Sequence, residues 1–127
     1  MPIKFYVDQA KDLSTFVVNG PMRPEEVYEA IKRFYRNTYP PPTKNILCDF
    51  RNASVEKIKS DEAEDLAFFA TNIDNRKKIG RTAIVATDDL VFLVSKVFGA
   101  LINNNIVELE IFSDFEEAYK WATENGE

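Results

Sequence analysis

The run Thr82-Ala83-Ile84-Val85-Ala86 has no alternating polar face. A strand that is apolar or small on both sides needs cover on both sides, which is the situation of an inner strand in a parallel sheet flanked by helices. Residues 46–50, Ile-Leu-Cys-Asp-Phe, have the same character apart from one aspartate. Two such strands in one short chain imply an α/β architecture, and the segments around them supply the helices.

Residues 3–7 and 14–19 read as two further strands, joined through Lys11-Asp12 by a connection short enough for a hairpin. Gly20-Pro21 is expected to stop the second. A first helix follows over 24–36, with proline in the first turn, Glu25 and Glu26 at its positive end, and Lys32, Arg33 and Arg36 at its negative end. Val27, Ile31 and Phe34, with Ala30 beside them, have the spacing of one buried face. Tyr39-Pro40-Pro41-Pro42 cannot continue a helix. After the strand at 46–50 comes a polar loop over 51–59, then a second helix to about residue 74 that buries Ala63, Leu66, Ala70 and Ile73. The strand at 82–86 leads into a third helix, capped by Thr87 or Asp88 and ended by Asn103-Asn104-Asn105. A fifth strand covers 107–112. Asp114 and Glu117 have capping-box spacing before a last helix lined by Phe115, Ala118 and Ala122, with Trp121 beside them.

The order is therefore β-β-α-β-α-β-α-β-α. It predicts a five-stranded, mainly parallel sheet with four helices and the first strand added antiparallel at an edge. At 127 residues, 1–127 reads as a single domain.

Histidine is absent and Cys48 is the one cysteine. Together these remove Ser-His-Asp and Cys-His catalysis in their usual forms, ordinary zinc sites and any internal disulfide. Cys48 is expected to be a small buried hydrophobe. A net charge of −5 lacks the basic footprint of a nucleic-acid binder. Residues 1–8 have no basic-then-apolar leader pattern, and no apolar run reaches the roughly 18 residues of a membrane span. The expected location is cytoplasmic, with no membrane span. The residues call for no metal and no cofactor.

Several constellations could carry function. The predicted strand ends hold Asn19, Asp49, Arg51, Asn52, Asp88, Asp89 and Asp114, an acidic rim that reads either as a ligand site or, for Asp88, Asp89 and Asp114, as helix-terminal carboxylates. Ser60, followed by Asp61, is either a modified residue or an N-cap. Arg76, Lys77, Lys78 and Arg81 surround Gly80 as an anion site or a solvated turn. The run Leu90-Val91-Phe92-Leu93-Val94 is too apolar for one helical stripe. With Leu90, Val94, Val97 and Leu101 on the core face, Phe92 and either Val91 or Leu93 face another helix, a dimer surface or an apolar pocket.

Three stretches resemble the SpoIIAA-like family of the STAS (sulfate transporter and anti-sigma factor antagonist) superfamily. They are Ile46-Leu47-Cys48-Asp49-Phe50-Arg51, Thr82-Ala83-Ile84-Val85-Ala86 with its acidic cap and apolar helix carrying Val97-Phe98, and Ile111-Phe112-Ser113-Asp114-Phe115-Glu116-Glu117-Ala118-Tyr119-Lys120-Trp121. The resemblance spans nearly the whole chain. It implies docking to a partner protein, as anti-sigma factor antagonists do, and a structural kinship with SEC14-like lipid-binding proteins. The family's phosphorylated Asp-Ser-Ser-Gly motif corresponds here to Lys59-Ser60-Asp61-Glu62. Ser60 matches the first serine, Asp61 replaces the usual acceptor and Glu62 replaces glycine, so the motif is not intact. The expectation is a non-enzymatic regulatory or protein-interaction module, with Ser60, Asp61, Asp49 and Arg51 as its regulatory or partner site and a homodimer as one form of association. The alternative is a carrier or sensor of a small apolar or lipid ligand held beside Val91, Phe92 and Leu93.

Overall fold

The structure is a computed structural model, and it describes residues 3–36, 43–54, 59, 61–66, 80–87, 91 and 107–124. Its strands are β1 (Ile3–Asp8), β2 (Leu13–Pro21), β3 (Asn45–Ser54), β4 (Gly80–Val85) and β5 (Val107–Phe112). Helix α1 is Pro24–Arg36; residues 61–66 are helical and form α2; α3 is Phe115–Thr123. Between β4 and β5 the described residues include one helical position, Val91. The remainder of the predicted third helix lies outside them, as do Ala70 and Ile73 of the predicted second.

The strands form one mixed sheet in the order β1-β2-β3-β4-β5. β1 pairs antiparallel with β2 at the edge, as expected, and the pairs β2–β3, β3–β4 and β4–β5 are parallel. β4 is an inner strand whose residues 82–85 are all buried, as is Ala86 just after it, which is the demand made by the lack of a polar face.

Both sheet faces are covered. On one, Leu13, Leu47, Ala83 and Val85 pack against Ala118 and Ala122 of α3, with Phe112, Phe115, Tyr119 and Trp121 closing the layer. The two alanines let α3 lie close over β3, β4 and β5. On the other face Val18, Met22, Ala53, Ala86 and Val91 cluster with Ile3, Val27 of α1 and Phe50. Ala63 and Leu66 of α2 are buried, as their spacing requires. The side chains of Ile31 and Phe34 lie outside the described residues.

Three local expectations are corrected. Gly20-Pro21 does not stop β2: Gly20 takes φ 88°, Pro21 stands opposite Ser54, and Met22 N donates to Ser54 O at 2.7 Å. Residues 51–54 are accordingly strand rather than loop. Where Val17 pairs with Asp49 and Asn19 with Asn52, two residues of β3, Phe50 and Arg51, stand opposite the single Val18. This is a β-bulge, a device that bends a strand and re-aims its side chains. Cys48 is half-buried rather than buried.

The β1–β2 turn is tied to the start of β3 by Asp12. Its φ of 53° is left-handed, a region that aspartate tolerates better than most residues. Its carboxylate accepts from Lys44 N at 2.8 Å and its carbonyl from Asn45 N at 3.1 Å. Asp12→Ala removes the side-chain acceptor and raises the backbone cost, so stability should fall by about 1–2 kcal/mol. Asp12→Gly should fall less, because glycine restores the backbone freedom. Urea unfolding midpoints of the two variants check this ranking; equal midpoints would mean that the left-handed turn carries no strain.

Candidate functional site

Asp49 sits on β3 level with Val85, the last residue of β4, on the face that α3 covers. It is 5 % exposed. A buried carboxylate needs a partner, and Asp49 has Arg51 two residues along the same strand. Arg51 Nε donates to Asp49 Oδ1 and Nη2 donates to Oδ2, both at 2.8 Å, and the Arg51 backbone N donates to Oδ1 at 3.2 Å. Two parallel bonds from a planar fork to a carboxylate fix direction as well as distance.

The guanidinium also lies over the ring of Phe115, 4.6 Å from its centroid. Phe115 opens α3, whose N-cap is Asp114: its side chain accepts from Glu117 N at 3.0 Å. The same carboxylate lends Arg51 a favourable charge. Thr87, just past β4, donates its hydroxyl to Arg51 O at 3.4 Å. Strand β3, the β4 exit and the start of α3 thus meet at one arginine.

The electrostatics follow from this packing. Burial by itself pushes the Asp49 carboxyl up; the hydrogen bonds from the Arg51 side chain and backbone, with the arginine's charge, outweigh it and hold the group below the usual aspartate value. Arg51 moves the other way, held above its ordinary value first by its hydrogen bond to Asp49, against burial, with the charges of Asp49 and Asp114 adding to it. Asp49 is therefore an anion at neutral pH with both oxygens engaged. Yet the Arg51 side chain remains 46 % exposed, so a rigidly held cation on an aromatic face is presented to solvent.

The other predicted sites fare differently. At α2, Lys59 O accepts from Ala63 N at 2.9 Å and Lys59 N donates to Glu62 Oε1 at 2.9 Å. Both bonds engage the Lys59 main chain at the start of the helix. Ser60 lies outside the described residues; Asp61 is exposed in the first turn. Arg81 does not belong to an open anion site. Its guanidinium lies 5.0 Å from the Trp121 ring centroid and its Nη1 donates to Trp121 O at 2.8 Å and Glu124 Oε2 at 3.2 Å, clamping the end of α3 to β4. Arg76, Lys77 and Lys78 lie outside the described residues. Val91 is 1 % exposed within the core cluster that includes Val18 and Met22, so it packs inward rather than facing a pocket or partner; Phe92 and Leu93 lie outside the described residues. Among the described residues no group of three or more acidic or cysteine side chains could hold a metal ion, and no helix is long and apolar enough to cross a membrane.

Sequence reasoning placed Asp49 and Arg51 together but read Phe115 only as core lining. The available signal was its place next to an N-cap: the first turn of a helix that packs across strand ends lies beside those ends.

No family model matches the chain, and no curated protein matches it. Among solved structures, the chain is similar to an uncharacterised protein of the DUF3478 family with a SpoIIAA-like fold, from Shewanella loihica PV-4. The TM-score is 0.59 at 15 % sequence identity, over 94 % of this chain and 91 % of that one. Such a likeness, between sequences this far apart, establishes architecture, and it agrees with the family resemblance carried by the three stretches above. The chain has the SpoIIAA-like fold.

Proposed function

We propose that this chain is a non-enzymatic protein-interaction module that meets its partner at the surface formed by Arg51 and Phe115. The observation that carries the reading is the state of Arg51, which is nearly half exposed yet fixed by two bonds to Asp49 and one aromatic face. Arginine and aromatic residues dominate the energetics of protein interfaces. A side chain already ordered before association loses little entropy on binding. Exposed Asn52, Thr87 and Ser113 adjoin the site in sequence or by hydrogen bond and supply a polar rim. The free outer side of the guanidinium suits a carboxylate on the partner. The same geometry weighs against acid–base catalysis, because an aspartate held ionised with both oxygens engaged is poorly placed to exchange a proton.

The test is affinity capture from cells of the encoding organism, comparing wild type with Asn52→Glu and Ser113→Glu. Both positions are exposed, so folding should be unchanged by circular dichroism. A new negative charge beside Arg51 should weaken binding of a retained protein about tenfold, which corresponds to roughly 1.4 kcal/mol. A partner held equally by all three proteins would place the interface elsewhere.

A further inference from the structure

We infer that β1 is a homodimerisation edge, and that two copies join their sheets by antiparallel pairing of β1 with β1 about a two-fold axis at Tyr6. β1 ends the strand order, so one side of its main chain faces away from the sheet. Such an edge is a template for another strand unless proline, a bulge or an unmatched charge blocks it. Residues 3–8, Ile-Lys-Phe-Tyr-Val-Asp, contain no proline, and their pairing with β2 runs without a register break. The same strand carries Phe5 and Tyr6, at 38 % and 55 % exposure the exposed large hydrophobics among the described residues.

The occupant follows from the sequence of the strand. A two-fold axis perpendicular to the sheet keeps each face continuous, so paired residues must share a face. That restricts the axis to a residue position. With the axis at Tyr6, Tyr6 meets its own copy, Lys4 meets Asp8 of the second copy, and Phe5 meets Val7 of the second copy; the last two pairs each occur twice. Lys4, Tyr6 and Asp8 alternate along one face and Phe5 and Val7 along the other. Within residues 4–8 every charge finds an opposite charge and every apolar residue an apolar one, the pairings that stabilise adjacent strands. With the axis at Phe5, Lys4 would face Tyr6 and Asp8 would have no basic partner. Lys4 and Asp8 are both exposed. Asp8 Oδ1 accepts from Lys11 N at 3.2 Å, which holds the carboxylate at the strand end where the second copy's Lys4 arrives. A single edge lysine ordinarily prevents strand addition; here the antiparallel register turns it into half of an ion pair. A second copy of this chain is therefore the partner that the edge fits, through the sheet-addition mode of recognition.

Sedimentation velocity over a concentration series tests the assignment. Wild type should dimerise. Lys4→Glu sets like charges opposite each other twice and should weaken the dimer at least tenfold. Lys4→Glu combined with Asp8→Lys swaps the pair and should restore association to within a few-fold of wild type. Tyr6→Lys places two like charges on the axis and should give monomer; at an exposed position it should leave the circular dichroism spectrum and the melting midpoint nearly unchanged. A monomeric wild type at all concentrations would overturn the inference. So would a dimer that persists in Tyr6→Lys, or a charge swap no better than Lys4→Glu alone.

Discussion

Gly80→Ala should lower the melting midpoint by roughly 10 °C, corresponding to about 2–3 kcal/mol in a domain of this size. Gly80 is the first residue of β4, buried, and paired with Val107. A Cβ there would overlap the carbonyl oxygen of Lys44, with Lys44 Cγ also within 3.4 Å. The obstruction is main chain just before β3, so no rotamer change relieves it. Relief requires the entry of β3 to move away from β4, where Asn45 Oδ1 accepts from Arg81 N at 2.8 Å and Ser14, Thr43 and Asn45 O form a buried hydrogen-bonded chain. Gly20→Ala is the control. Gly20 has a positive φ but nothing within 4 Å of the added carbon, so its cost is conformational, about 1–2 kcal/mol. Differential scanning calorimetry of the two variants separates a steric requirement for glycine from a backbone one. A Gly80→Ala midpoint at or above that of Gly20→Ala would mean that the Lys44 carbonyl does not impose glycine at position 80.

Arg51→Met should invert the pH dependence that Asp49 contributes to stability. In the wild type the Asp49 carboxyl is held below its unfolded value of about 3.9. A depressed carboxyl stabilises the fold above the unfolded value, and that contribution disappears as pH falls through the folded value. Without the guanidinium, burial, the largest influence on the group, is opposed only by the backbone N–H of residue 51, and it pushes the carboxyl up. The fold then prefers the protonated acid, so the contribution is best at low pH and is lost as pH rises through the elevated value. At neutral pH the variant should be less stable by about 2 kcal/mol, the cost of a buried anion without its partner. The double variant Arg51→Met/Asp49→Asn should recover part of this, since it leaves no buried charge. The measurement is urea stability against pH for each protein minus its Asp49→Asn counterpart, which cancels the other carboxylates. A difference curve with the same sign of slope in both backgrounds would show that Arg51 does not set the state of Asp49.

Much of the architecture was legible because it rests on local rules. The lack of a polar face at 82–86 required an inner strand, Pro24 with Glu25 and Glu26 marked the start of α1, and Asp114 with Glu117 marked that of α3. Those signals act within a few residues, so the chain states them directly. Asp49 and Arg51 could be nominated for a similar reason: both lie at the carboxyl end of the predicted third strand, where ligands of open α/β sheets bind. The errors have the opposite character. Arg81 stands among lysines and arginines in the chain, but its contacts come from Trp121 and Glu124, some forty residues away. Val91 looked surplus on a single helix and is buried once the sheet supplies a neighbour.

What the sequence alone determined, then, is the alternation of strands and helices, the antiparallel edge strand, the buried position of β4 and the residues eligible for a site. The tertiary structure decided which of those residues meet. The bulge opposite Val18 and the packing of α3 across β3 bring Phe115 to Arg51, and the close approach of Lys44 makes glycine necessary at position 80. The physical reason is range. Periodicity and capping depend on neighbours within a turn or two of chain, whereas strand register, a bulge, or a guanidinium lying over a distant ring depends on which elements are adjacent in space.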